Sequence, residues 1–389
     1  MTDLALDDAP LVDAHLHGFE ADALAREDPE EWANLITLMG MCFLSSKKVD
    51  AGLRDRVAEM TGDTLFARLS RRWLADFLGC PVDTVATQRL ERLRSDSSSY
   101  FGSLMADANV QALFVDDGYP QPRIDPARFE QTMGTHVYRV ARLEPMIEQA
   151  RQVTDTVGGL EESFRAQMAQ SEDDPRCIAY KTVIAYRSGL DVGAPGRDEI
   201  EGSYGRWRES DWRDGRDTSK ALRDHLLNVA YEVARRQGRP IHIHSGAGDP
   251  DCVLSHVRPA NLAPLLQRHG AQPTVLIHSG YPWVEEGAYL AAMYPMAYLE
   301  VSLFLPWVTL DADRVLSVIL GSVPTSKVLY GSDEASEGEV IWLSAKLARR
   351  ALERVLSRAV ELDYLTRDEA ADVGRDVLAR NALTLHGVS

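Results

Sequence analysis

The chain lacks the features that mark several whole classes of protein. It is poor in positive charge: 42 Lys and Arg against 59 Asp and Glu leave a net charge of −17 over 389 residues. Such a surface repels phosphate backbones and anionic lipid, so neither nucleic acid nor a membrane is an expected partner. Cysteine is scarce, with Cys42, Cys80, Cys177 and Cys252 far apart and no Cys-x-x-Cys pair. This argues against a zinc ribbon or a disulfide scaffold, and a reducing, cytoplasmic setting is expected. The first ten residues carry three aspartates and no basic residue, the reverse of a leader peptide. No apolar run approaches the roughly 18 residues that a membrane helix needs, and internal repeats and low-complexity tracts are missing too.

What remains is the ordinary balance of a folded globular chain, 45% hydrophobic and 26% charged, enough for a sizeable core. Eight short apolar or β-branched runs alternate with longer helical patterns, at 11–16, 110–115, 135–142, 177–184, 240–244, 274–278, 297–303 and 327–330. Eight such repeats predict a (β/α)8 barrel, with its active site where strands end and βα loops begin. We read residues 1–389 as one domain, with a helical insertion over 20–105 that includes helical stretches at 29–44, 52–78 and 82–94. The segment 189–217, rich in Gly, Arg, Asp and Trp, reads as a long loop on the catalytic face. Helices over 338–362 and 367–385 would close the barrel.

The chemistry-bearing residues gather at predicted strand ends. His15 and His17 end the first run two residues apart, so both imidazoles share a face and can chelate one ion. Ten histidines in this chain would give about 0.26 such spacings by chance, so one match is weak. A second occurs at His242 and His244, of which His244 sits at the rim. His242, one pleat deeper, reads as a hydrogen-bonded interior residue. The next run also ends in a histidine, His278, and the last leads to Asp333, which could equally cap a helix. The capping reading explains one aspartate and leaves the histidine series unexplained. Together His15, His17, His244, His278 and Asp333 suit a divalent metal, zinc first and manganese or iron as alternatives.

Lys181 lies inside an apolar strand, where an unpaired ammonium is costly. It would be carbamylated between two metals, pair with a substrate carboxylate, or meet a buried acid. Tyr186 and Arg187 follow it, and Arg187 suits a bidentate carboxylate clamp or a solvated loop. Asp116 and Asp117 end the second run, and Arg142 with Glu144 after the third reads as a structural ion pair. His256 is placed to reach substrate from the fifth loop. Tyr204, Trp207, Trp212 and Trp283 are candidates for an aromatic pocket, whereas His136, His225, His269 and His386 read as structural.

With these residues in place, the chain resembles the amidohydrolase superfamily, whose members carry His-x-His on the first strand, histidines on the fifth and sixth, and an aspartate on the eighth. More narrowly it resembles the amidohydrolase-2 branch, including the domain fused to glutamine synthetase in nodulin and FluG-type proteins. The stretches that carry this are Phe114-Val-Asp-Asp-Gly, Arg142-Leu-Glu, Tyr180-Lys-Thr-Val-Ile-Ala-Tyr-Arg-Ser-Gly-Leu, His242-Ile-His-Ser-Gly-Ala-Gly-Asp and Asn381-Ala-Leu-Thr-Leu-His-Gly. The resemblance implies His15, His17, His244 and Asp333 as metal ligands and His278 as a further ligand or acid/base. It leaves open whether Lys181 bridges a second ion, so one or two ions are expected.

The implied reaction is hydrolysis of an amide or related C–N bond of a small, carboxylate-bearing substrate, with Asp333 and His278 catalytic. Lys181, Arg187, Tyr186, His256 and Trp283 would contact substrate. A metal-dependent non-oxidative decarboxylase and a non-catalytic binding or scaffold domain are the alternatives, and a homo-oligomer is open.

Overall fold

The computed structural model describes residues 3–26, 28–29, 32, 36–44, 50–250 and 252–389. Eight strands, β1 (Leu11–His17), β2 (Val110–Asp116), β3 (His136–Arg142), β4 (Cys177–Thr182), β5 (Ile241–His244), β6 (Thr274–Ile277), β7 (Ala297–Glu300) and β8 (Val328–Leu329), pair in parallel in chain order. The Ala14 N–H donates to the Tyr330 carbonyl and the Asp333 N–H to that of His15, both at 2.9 Å. These bonds bring β8 back to β1, and the sheet becomes a nearly closed (β/α)8 barrel. Every residue of β4, β5 and β6 is buried, which is why those strands read as continuous apolar runs rather than alternating ones.

Alternate inward side chains fill the barrel. Val12, Ala14, Ala112, Phe114, Val140, Ala179, Val275, Ile277 and Leu329 pack as one cluster, and Ala379 and Ala382 join it from the C-terminal segment. That segment plugs the end of the barrel opposite the strand C-termini. The pairing of β1 with β2 is irregular between Asp13 and Leu16. Val12 and Ala14 therefore pack in the interior cluster, while His15 also turns inward, onto Lys181 at 3.1 Å.

Between β1 and β2 lie α1 (Leu38–Leu44), α2 (Ala51–Thr61), α3 (Leu65–Leu78) and α4 (Val85–Asp107). The expected stretch 29–44 falls partly outside the described residues. The expected stretch 52–78 is two helices, because Thr64 accepts the Ala67 N–H and so starts α3 afresh. Arg89 of α4 is buried and reaches Glu337 at 2.6 Å and Glu339 at 2.7 Å, tying these helices to the segment that follows Asp333. Removing one partner would strand a buried charge, at a cost of about 3–5 kcal/mol.

Outside the barrel run α5 (Pro126–Met133), α6 (Leu143–Gln152), α7 (Val157–Glu172), α8 (Arg197–Glu209), α9 (Lys220–Gln237), α10 (Val284–Met293), α11 (Ala312–Leu320) and α12 (Glu339–Glu361), while α13 (Asn381–His386) belongs to the segment that packs into the barrel end. The presence of α8 corrects the reading of 189–217 as an aperiodic loop. Its buried residues, Ile200, Ser203, Tyr204 and Trp207, recur at helical spacing beneath a surface dense in charge and glycine. The same helix removes Tyr204, Trp207 and Trp212 from the aromatic pocket. Trp207 stands edge-on to Trp212 at 5.0 Å and takes the Arg223 guanidinium over its face at 5.1 Å, so these rings anchor α8 to α9. Among the described residues no helix is long and apolar enough to cross a membrane.

Candidate metal centre

The site is built at the C-terminal ends of the strands, where side chains leave the interior and face a cavity of about 460 Å³. Asp333 follows β8 in a left-handed backbone conformation, φ 58°. Its Oδ1 lies 3.2 Å from His15 Nε2, 3.8 Å from His17 Nε2 and 4.0 Å from His278 Nε2. Two ligand atoms about 2.1 Å from one tetrahedral ion are about 3.4 Å apart, so this spread is that of donors around a common centre. Two ligand-capable sets stand out, His15 with His278 and Asp333, and His15 with His17 and Asp116. His244 is in neither. Its Nδ1 lies 3.1 Å from His278 Nε2, its ring packs on Tyr186 at 4.5 Å, and its buried Nε2 has no hydrogen-bond partner among the described residues.

Burial sets the protonation of this cluster. It drives His15, His244 and His278 well below the ordinary imidazole value and His17 down to about 4, with Lys181 adding to the effect at each. The imidazoles are therefore neutral, the form that ligates metal. Burial likewise pushes Asp333 up to about 8 against the pull of the Lys181 cation. A divalent ion among these donors would hold that carboxylate ionised. Three neutral ring nitrogens and one carboxylate oxygen, buried together, fit such an ion by number and by chemistry.

The opposite wall is made of ion pairs. Arg142, at the end of β3, holds Asp116 in a two-pronged contact, Nε to Oδ1 at 2.9 Å and Nη2 to Oδ2 at 2.5 Å. Burial alone would raise Asp116, but Arg142 and Lys181 hold it well below the carboxylate range. Lys181 Nζ sits 3.1 Å from His15 Nε2 and 3.5 Å from Asp116 Oδ2, so the buried ammonium has an acid partner. Arg142 does not pair with Glu144 as expected. Glu144 turns away to accept the Thr182 hydroxyl at 2.7 Å and the Val183 N–H at 2.9 Å, because it begins α6 whereas Arg142 still belongs to the strand. Asp117 accepts from Arg139 and from the Arg142 N–H, both at 2.8 Å.

Of the expected substrate contacts, Lys181, Tyr186 and Arg187 line the cavity. Arg187 meets Asp214 at 3.7 Å and stays partly exposed. His256 and Trp283 are not among the lining residues. The His256 carbonyl fixes the Leu190 N–H at 2.9 Å, which keeps its short helical turn with the 189–192 segment, and Trp283 lies under the Arg258 guanidinium. Sequence reasoning missed Leu38, Met41 and Cys42 of α1, together with Gly118, Tyr119 and Asp249, which also line the cavity. Cys42 reaches Asp249 at 3.4 Å, a contact across 207 residues that no local pattern announces. Arg142 had a signal that could have found it, since it ends β3 just as His17 ends β1.

Known proteins resemble this chain in sequence and in fold. A family model described as Amidohydrolase matches residues 204–387, which contain His244, His278 and Asp333. The FluG protein of Emericella nidulans is 30% identical over 234 residues, 58% of this chain. The match spans only 27% of FluG, about a quarter of that relative's length. Among solved structures, a candidate metal-dependent hydrolase from Lactobacillus casei ATCC 334 superposes with a TM-score of 0.84 at 20% identity, covering 98% of this chain and 96% of its own. A uronate isomerase from Bacillus halodurans C-125 follows at 0.66 and 13%, covering 99% and 95%. These likenesses establish the barrel. The resemblance read from the strand-end residues is supported: this chain is a (β/α)8 barrel, similar in sequence to the amidohydrolase family over residues 204–387 and in fold to a candidate metal-dependent hydrolase over nearly its whole length.

Proposed function

We propose that the protein is a metal-dependent hydrolase that cleaves an amide or related C–N bond of a small, carboxylate-bearing substrate. The observation that carries this reading is the convergence of His15, His17 and His278 on Asp333 at the cavity floor. A divalent metal held there, zinc by preference for imidazole and carboxylate donors, would supply Lewis acidity that polarises an acyl oxygen and acidifies water. Asp333 is placed to take the proton that water gives up as it adds to the acyl carbon. The same carboxyl returns that proton to the departing nitrogen as the C–N bond breaks. Among the described cavity-lining residues, Arg187 is the cation best placed for a substrate carboxylate, since it is tied only weakly to Asp214 whereas Arg142 and Lys181 are committed to Asp116.

A panel of N-acyl amino acids, assayed for amine release on zinc-loaded protein, tests the reading. Asp333→Asn should lower turnover by about 10²–10⁴-fold in a folded chain. Arg187→Gln should raise KM about tenfold for carboxylate substrates and leave neutral amides unchanged. Full activity in Asp333→Asn would remove the residue from the mechanism. The fold is shared with uronate isomerases, so interconversion of a uronate without amine release is the outcome that would replace hydrolysis with isomerisation. Carbon dioxide release in place of amine would point to decarboxylation.

A further inference from the structure

Beneath the histidine of the sixth strand lies a carboxylate that the hydrolytic reading does not use. Glu300, the last residue of β7, is fully buried. Its Oε2 accepts the Ser302 hydroxyl at 2.7 Å and the His278 N–H at 3.2 Å, and its Oε1 accepts the Ser302 N–H at 2.6 Å. Ser302 Oγ in turn meets His278 Nδ1 at 2.8 Å. We propose that Glu300 and Ser302 are positioning residues that lock His278 in the Nδ1–H tautomer, so that its Nε2 lone pair faces the metal site. The inference rests on the reading of His278 as part of that site.

The argument is one of counting protons. Burial raises the Glu300 carboxyl to about 8, so above that pH it is a carboxylate that only accepts, with a backbone N–H on each oxygen, and the single hydrogen of the Ser302 hydroxyl is then directed to it. The remaining contact of the hydroxyl must then be filled by a donor, which makes Nδ1 the protonated nitrogen of the neutral His278 ring. Nε2 is left with a lone pair, 3.1 Å from His244 Nδ1 and 4.0 Å from Asp333 Oδ1, groups with which it would share a cation. A ring in this state cannot donate from Nε2 to a substrate carbonyl, so His278 acts as a ligand or proton acceptor and not as an electrophile.

Two further features show that the space for Glu300 is built. A Cβ on Gly331 would come within 2.2 Å of Glu300 Oε1, so only glycine at this position of β8's continuation admits the carboxylate. His278 and Ser279 also both hold left-handed backbone, φ 65° and 50°, which non-glycine residues adopt only when the surroundings impose it. Glu300 imposes it from both sides: its side chain takes the His278 N–H, and its carbonyl takes the Ser279 hydroxyl at 2.9 Å.

The test is long-range proton–nitrogen correlation NMR on histidine-labelled, metal-free protein at about pH 9, where free imidazoles are neutral. In the wild type, His278 Nδ1 should carry the proton. In Glu300→Gln the amide can donate to Ser302, which frees the hydroxyl to donate to Nδ1, and the proton should move to Nε2. In Ser302→Ala the protonated fraction at Nδ1 should fall. Zinc affinity of both variants should drop about 10–100-fold. An Nε2–H ring in the wild type, or an unchanged tautomer in whichever variant folds, would overturn the proposal. Undiminished zinc affinity in His278→Ala would instead overturn the underlying metal role of His278. The metal-free tautomer reports on Glu300 and Ser302 separately from it.

Discussion

The chain carries the same short motif twice, His15-Leu-His17 on β1 and His242-Ile-His244 on β5, and the barrel uses the two copies differently. His15 and His17 both reach Asp333, at 3.2 and 3.8 Å. The second pair divides. His244 meets His278 at the mouth, while His242 looks to the other end and meets His386 of α13, Nε2 to Nε2 at 2.8 Å. The irregular pairing in β1 brings its two histidines to one level, whereas β5 pairs regularly and leaves His242 one pleat, about 7 Å, deeper. Depth relative to the strand end, more than spacing along the chain, decides which histidine can ligate.

The largest expected effect separates the two motifs directly. His15→Asn should reduce bound zinc below about a tenth of the wild-type content and lower turnover by about 10³-fold or more. His242→Asn should keep its metal and lose about 1–3 kcal/mol of stability, because a buried partner of His386 is gone. Elemental analysis beside urea unfolding reads both. Equal metal loss in the two variants would break the distinction.

That difference bears on what could be read before the fold was known. All eight strands and the strand-end histidines were legible because buried parallel strands are short apolar runs and their last residues must face the mouth. The partners across strands were not. Arg142 was paired with Glu144, its neighbour in sequence, but β3 lies between β2 and β4, and so Arg142 meets Asp116. Glu300 and Ser302 gave no signal, since their value lies in reaching beneath His278, twenty-two residues away in the chain from Glu300. The α1 residues Leu38, Met41 and Cys42 were hidden for the same reason, and α8 was hidden by its glycines and charges.

A second way to sharpen the comparison uses acid. His386 Nδ1 bonds the Ala382 carbonyl at 2.8 Å and its ring packs on Phe114, and burial lowers it from 6.5 to about 4. The unfolded chain takes up this proton near pH 6.5 and the folded chain only near pH 4. Stability is therefore lost as pH falls through that window, by about 3 kcal/mol from this group. His386→Phe keeps a ring against Phe114 and removes the titration. Its unfolding free energy should fall less between pH 7 and pH 4.5 than that of the wild type, as urea unfolding at the two pH values would show. An unchanged pH slope would mean that the deep pair does not couple to folding.

The smallest expected effect concerns the seat of His244. Tyr186 packs its ring on His244 at 4.5 Å, and its hydroxyl accepts the Asp249 N–H at 3.1 Å. Tyr186→Phe keeps the ring contact and loses one hydrogen bond, worth about 1 kcal/mol, so KM should rise at most about fivefold with metal content unchanged. Gly248→Ala should act more strongly, since its new Cβ would stand 1.8 Å from that hydroxyl and 2.9 Å from the His244 ring. Deleting the hydroxyl relieves the closer of the two clashes, and the double variant should therefore recover part of what Gly248→Ala loses. Simple additivity in that cycle would mean that the loop after β5 and Tyr186 act on His244 independently. Partial recovery would show that the hydroxyl sets the loop's height above the ring, and that this histidine is held by packing where His15 is held by its approach to Asp333.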